Sequence, residues 1–137
     1  MTPTTVWPRG KYVRLPFCSE QYQRIYVEVM RTPAERSAGL RGRAALAPNH
    51  GMLFVHDSAD FWTYTMLGCL INLDILWLDA RGRVVDQYIG ASPCRRFPCS
   101  SYRPIAPACY VLELLGGVSA VLGIWPGAMI DLSGALS

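Results

Sequence analysis

From Arg24 onward the apolar residues come in short runs cut by glycine, proline and polar residues. Residues 25–29, Ile-Tyr-Val-Glu-Val, alternate at a period of two, as a strand with one buried face does. Thr32, Pro33 and Glu35 then occupy the N-cap, first and third positions of a predicted helix. This is the reciprocal arrangement in which a hydroxyl and a carboxylate each satisfy an orphan backbone N–H, and Gly39 marks the helix end. Residues 51–56 read as a second strand. The longest apolar stretch is 61–79, interrupted by Asp74 before its end. A membrane span needs about 20 apolar residues in one helix, and such a helix would carry Gly68, Asn72 and Asp74 through hydrocarbon. Two strands, 61–67 and 70–78, fit better, with Gly68 and Cys69 at the bend and Thr, Tyr, Trp and Ile favouring extended backbone. Residues 79–82 predict a turn that closes a hairpin with a strand starting at Arg83. Residues 91–108 hold Pro93, Pro98, Pro104 and Pro107. A segment so poor in backbone donors is a long connection and not a central strand. A strand over 109–115, a short glycine-opened helix over 116–124 and a closing strand over 128–132 complete the pattern, with no internal repeat.

Residues 1–23 show no sustained period and predict an extended N-terminal arm ahead of a single domain over 24–137. A chain of 137 residues is one domain by size and buries enough surface to fold without metal or disulfides. With 51% hydrophobic and 17% charged residues it is not a disordered chain. Charge is uneven: the basic excess lies in the first 56 residues, every cation except Lys11 is arginine, and residues 104–137 carry only Glu113 and Asp131. A net charge of +3 without a clustered basic stripe argues against nucleic acid. In the arm, Trp7, Tyr12, Phe17 and Tyr22 interleave with Arg9 and Arg14, the residue types enriched at interface centres. These six are the expected contacts to a protein partner or to further copies of the chain. The competing reading folds the arm back over its own sheet. The N-terminus has no apolar core of a secretory signal, so the expected setting is cytoplasmic or an intracellularly assembled particle.

The order of the blocks carries more than any one of them. Thr-Pro-Ala-Glu-Arg-Ser-Ala-Gly-Leu-Arg-Gly-Arg from residue 32, Gly-Met-Leu-Phe-Val-His from 51, the run from Leu70 to Val85, Ser92 to Tyr102, Tyr110 to Gly117 and Leu122 to Gly127 together resemble domain-of-unknown-function family 192 over residues 25–132. The resemblance implies a compact, mainly antiparallel β-structure with a short helix packed against it, and no established enzymatic activity. The expected fold class is therefore α+β, mainly β: a barrel-like or sandwich domain with one or two short helices. The family's Gly-Leu-Met-x-Arg block falls on Gly39 to Arg43 and keeps Arg43. Its polar Lys-Asn-Thr trio falls on Leu67, Gly68 and Cys69, so that trio is replaced, while Asp74 of the following block is kept, as is Glu113. The closing Gly-Asp becomes Gly127-Ala128.

Arg43, Asp74 and Glu113 are thus the polar candidates in apolar surroundings. They read either as a carboxylate pair with an arginine clamp that holds a polar ligand, or as ion pairs that fix the fold. Cys94 and Cys99 form a C-x4-C pair read as inert thiols, as a local disulfide or redox pair, or as half of a zinc site needing His50 and His56; the spacing is not that of zinc knuckles. A Cys69–His56 couple has no local signature, and no phosphate loop is present. No metal and no cofactor are expected. The leading expectation is a non-enzymatic structural or interaction protein, an accessory part of a larger assembly such as a virion cement, decoration or tail component. The alternative is a small-ligand-binding protein or an enzyme working through Asp74, Glu113 and Arg43.

Overall fold

Alternation and punctuation produce short strands, and the computed structural model, which describes residues 10–16 and 23–137, arranges them around one sheet. The elements are β1 (Tyr12–Leu15), β2 (Gln23–Met30), α1 (Pro33–Ala38), β3 (His50–Asp60), β4 (Tyr64–Thr65), β5 (Leu73–Leu78), β6 (Val84–Ala91), β7 (Ser101–Tyr102), β8 (Ala108–Leu115), α2 (Val118–Val121) and α3 (Ser133–Leu136). Six strands form the main sheet in the order β1-β2-β3-β8-β5-β6, and β4 pairs with β7 in a separate ribbon.

The domain is mainly β, as expected, and its sheet is open and mixed. Barrel closure does not occur, because β1 and β6 stand at the two edges. All pairs are antiparallel except β2 with β3, which run parallel. The cause is the connection between them: α1 and the segment to Asn49 carry the chain back to the start of the sheet, and only a crossover of that kind joins parallel neighbours.

Both faces of the sheet are covered. β5 is buried at every position. Leu53, Leu76, Leu78, Leu112 and Leu114 pack on one face with Val13, Leu15, Ile25, Val27 and the C-terminal residues Ile130, Leu132 and Ala135. Met52, Phe54, Leu73, Ile75, Trp77 and Val111 pack on the other with Leu40, Leu46, Met66 and Cys69. Two layers of cover over one sheet explain why β5 reads as a continuous apolar run instead of alternating.

Several boundaries differ from the sequence pattern. Part of the expected arm is structural: Tyr12–Leu15 is an edge strand of the sheet, and the side chains of Val13 and Leu15 are fully buried. The strand expected over 61–67 shrinks to Tyr64–Thr65, because β3 runs on to Asp60 past an irregularity after Val55. The expected closing strand 128–132 reaches the sheet only through isolated bridges, Met129 to Arg83 and Asp131 to Arg14. The proline-rich 91–108 segment is a connection, as expected, pinned by a Cys94–Cys99 disulfide and by the β4–β7 ribbon. Among the described residues no helix is long and apolar enough to cross a membrane.

Candidate functional site

β8 contributes the residue on which the site is built. In Val111-Leu112-Glu113-Leu114 the period of two places Glu113 on the face of Val111, flanked in register by Met52 of β3 and Ile75 of β5. An apolar side chain is expected there. Glu113, 4% exposed as a residue, instead brings a carboxyl group that forms no hydrogen bond or ion pair with the described residues. Burial pushes its pKa up to about 8.

Glu113 lies in the wall of a cleft of about 280 Å³ that opens between β3, β4 and the end of α1. The same period brings Phe54 and His56 of β3 into that cleft. His56 Nε2 is 2.7 Å from the Tyr64 hydroxyl, its ring stacks on Trp62 at 4.1 Å, and its Nδ1 is buried without a hydrogen-bond partner. Trp62 is held from behind, where Trp77 Nε1 donates to its carbonyl at 2.9 Å. Burial, then the nearby Arg36 guanidinium, push the His56 pKa down to about 4 against the opposing pull of Asp57, so the ring is neutral at neutral pH. Burial and the neighbouring Glu113 raise the Tyr64 phenol and push the Cys69 thiol up to about 11. Cys69 is therefore a thiol and not a thiolate nucleophile.

The cleft's cations come from α1 and its end. The capping box at Thr32 and Glu35 starts the helix where the sequence places it. From its last turn, Arg36 Nη1 donates to Val55 O at 2.9 Å and Arg31 O at 2.7 Å, which lays the guanidinium along β3 beside His56. Arg41 follows the helix, its aliphatic stem lying against Gly68.

The three polar candidates of the sequence do not assemble. Asp74 pairs in register with Leu114, one position from Glu113 on the neighbouring strand, and so faces the opposite side of the sheet. There its carboxylate accepts from the backbone N–H groups of Gly90, Gly117 and Ser119, each at 2.9 Å, and from the Ser119 hydroxyl at 2.6 Å. It anchors α2 and the end of β6. Arg43 clamps Glu28 of β2 with both of its terminal nitrogens, at 2.9 Å for Nη2. The carboxylate pair with an arginine clamp is thus replaced by one free acid, one hydrogen-bonded acid and a separate ion pair. Cys94 and Cys99 are disulfide-bonded and not inert thiols. Among the described residues no group of three or more His, Cys, Asp or Glu side chains could hold a metal ion.

Of the expected partner contacts, Trp7, Arg9, Phe17 and Tyr22 lie outside the described residues. Tyr12 meets the Tyr26 ring edge-on and lies under the Arg24 guanidinium at 4.4 Å, while Arg14 bonds Asp131 at 2.6 Å. Both are engaged within the domain. Arg36, Trp62 and Tyr64 were not singled out from the sequence, and His56 only as a metal ligand or a base. The available signal was the period of β3, which places Met52, Phe54 and His56 on one face.

Residues 17–132 match the profile of the DUF192 family, described as an uncharacterized ACR. Two solved structures share the fold. A Sinorhizobium meliloti 1021 protein described as a "putative transcription regulator" is 30% identical with a TM-score of 0.82, over 90% of this chain and 94% of that one. A protein of unknown function from Novosphingobium aromaticivorans DSM 12444 is also 30% identical, with a TM-score of 0.79, over 88% of this chain and 83% of that one. No curated protein matches the chain.

Proposed function

Because the chain belongs to the DUF192 family, which carries a fold without an assigned chemistry, we propose from the cleft itself that this is a small-ligand-binding domain with Glu113 at the base of its site. The observation that carries the reading is the Glu113 carboxyl, which has no partner among the described residues. A buried polar group without a hydrogen-bond partner costs about 1–3 kcal/mol, and a protein keeps one in a cleft wall where a bound molecule supplies the missing partner. His56 Nδ1, a buried atom without a hydrogen-bond partner that belongs to the same cleft, supports it. Cys69 is protonated and has no base bonded to it among the described residues, and the Tyr64 phenol bonded to His56 is pushed up by burial, which favours a binder over a covalent catalyst. The assembly reading rests on arm residues outside the described part, and its two described members are occupied by neighbours in the domain.

The test is a fragment screen by two-dimensional NMR on the full chain and on Glu113→Gln. Fragments should shift resonances of Phe54, His56 and Tyr64 and lose about ten-fold or more in affinity in the variant. A folded protein whose cleft resonances no fragment moves would return Glu113 to a purely structural role.

A further inference from the structure

Charge in the cleft is ordered by depth. Glu113 is the acid of the lining and is buried, while the two cations of the lining, Arg36 and Arg41, are partly and fully exposed. Neither arginine has an acidic partner among the described residues, whose ion pairs are Arg14 with Asp131 and Arg43 with Glu28. We propose that the cleft takes a small zwitterion of amino-acid size, its ammonium seated on the Glu113 carboxylate and its carboxylate held at the mouth by Arg36 and Arg41. The inference rests on the reading of the cleft as a ligand site and names the ligand's class.

Both ends of such a ligand are needed. A plain anion satisfies the arginines and leaves the buried carboxyl unpartnered. A plain amine satisfies Glu113 yet has to be held beside two unpaired guanidinium groups, which repel it. A zwitterion answers the floor and the mouth together, and the volume of about 280 Å³ is at the small end of ligand pockets and suits a metabolite of that size. The walls agree: Phe54 and Tyr64 meet edge to face at 5.2 Å, and the aromatic faces and the phenol oxygen suit an ammonium group and a short alkyl linker.

The cations are positioned for it. The two carbonyl bonds from Arg36 Nη1 fix its guanidinium plane, leaving the remaining donors for a carboxylate. Gly68 has φ +79, and a Cβ built there would stand 3.3 Å from the Arg41 Cγ. A side chain at position 68 would therefore press on the Arg41 stem. The Gly42 N–H donates to Gly68 O at 2.9 Å and locks that turn to the end of α1.

Seating an ammonium on Glu113 requires the ionised carboxylate. Below about pH 8 the free acid is mostly protonated, so binding releases a proton from Glu113 to solvent. Tyr64 of β4 and Cys69 of the following turn are electrostatically close to it, and His56 of β3, Arg36 and Arg41 are the other titratable groups of the cleft lining. Tyr64 and Cys69 titrate far above neutrality and His56 far below it, so Glu113 is the source of the proton near pH 7.

The experiment is isothermal titration calorimetry on the full chain at pH 7, in phosphate and in Tris, with glycine, β-alanine, γ-aminobutyrate and ε-aminocaproate as probes. Butylamine, butyrate and erythritol serve as the single-charge and neutral controls. At least one zwitterion should bind about ten-fold more tightly than every control, with proton release seen as a buffer-dependent heat. Glu113→Gln should abolish that heat, and Arg41→Gln, an exposed change, should weaken binding several-fold while the protein stays folded. Butylamine, butyrate or erythritol binding as tightly as the best zwitterion overturns the proposal but leaves a ligand site standing. No binding by any probe also overturns it, and the fragment screen then decides whether the broader reading survives.

Discussion

Asp74 and Glu113 are the two acids buried in this domain among the described residues, and they solve the problem of burial in opposite ways. Asp74 takes four donors, three of them backbone N–H groups, so its charge is distributed over the ends of β6 and α2. In Asp74→Asn one oxygen becomes an NH2 facing those donors. We expect a loss of about 3 kcal/mol or more in urea denaturation, with cleft binding in the surviving folded protein unchanged. An unaltered denaturation midpoint would show that these bonds do not hold α2. Both acids were legible in the sequence as polar residues interrupting apolar runs. Their separation onto opposite faces was not, because each period fixes a face only relative to its own strand; the β5–β8 register relates the two. Arg43 was likewise visible as a cation near the helix end, but its partner Glu28 lies on β2, the strand before the helix.

At the scale of elements, α1 is the clearest case of local chemistry deciding structure. Thr32 Oγ1 accepts from the Glu35 N–H at 3.1 Å, and Glu35 Oε1 accepts from the Thr32 N–H at 3.0 Å. The helix buries no residue, so the cap and the Arg36 bonds hold it and core packing does not. Thr32→Ala should therefore cost about 1 kcal/mol locally, seen as faster amide exchange at Arg36 and Gly39. Cleft affinity should fall with it, since the helix presents Arg36. The 91–108 connection shows the complementary case. Prolines announce that it is not a central strand, while the pairing of β7 with β4 and of Cys94 with Cys99 depends on the chain folding back. With a sequence separation of 5, the disulfide closes a small loop. The double variant Cys94→Ser, Cys99→Ser should thus lose no more than about 2 kcal/mol in chemical denaturation. A larger loss would mean that the ribbon supports the cleft wall as well. β1 escaped the sequence reading because four residues carry too few repeats of a two-residue period; only pairing with β2 identifies them.

At the scale of the whole molecule, the cleft sets the pH dependence of stability. Glu113 titrates at about 8 when folded against 4.5 as a free group, so the unfolded chain gives up its proton first and stability falls as pH rises between those values. His56 acts in the other direction: its folded pKa of about 4, against 6.5, makes stability rise with pH over that interval. The two oppose each other from about pH 4.5 to 6.5, with His56, partly exposed, the weaker of the pair. Above pH 6.5 Glu113 acts alone, and about 2 kcal/mol should be lost between there and pH 8. On the acid side Asp131, held down to about 2 by Ser133 first and Arg14 after it, contributes stability present above 3.8 and lost as pH falls toward 2. Urea titrations across this range on Glu113→Gln should show no loss above pH 6.5. A wild-type profile that stays level from 6.5 to 8 would mean that Glu113 has a partner.

Short-range physics settles the β-rich character, the capped helix, the refusal of the 61–79 run to be a membrane helix, and the presence of acids in apolar strands. Each of these depends on a period or a cap read within a dozen residues. Tertiary structure decided what depends on residues far apart. It chose an open mixed sheet, because the α1 crossover returns β3 parallel to β2, and it drew Tyr12–Leu15 into the edge of that sheet. It gave Arg43 to Glu28 and Asp74 to α2. It set Glu113 in one cleft with His56 and Tyr64, without a partner among the described residues, because strand register, and no local pattern, determines which side chains share a face.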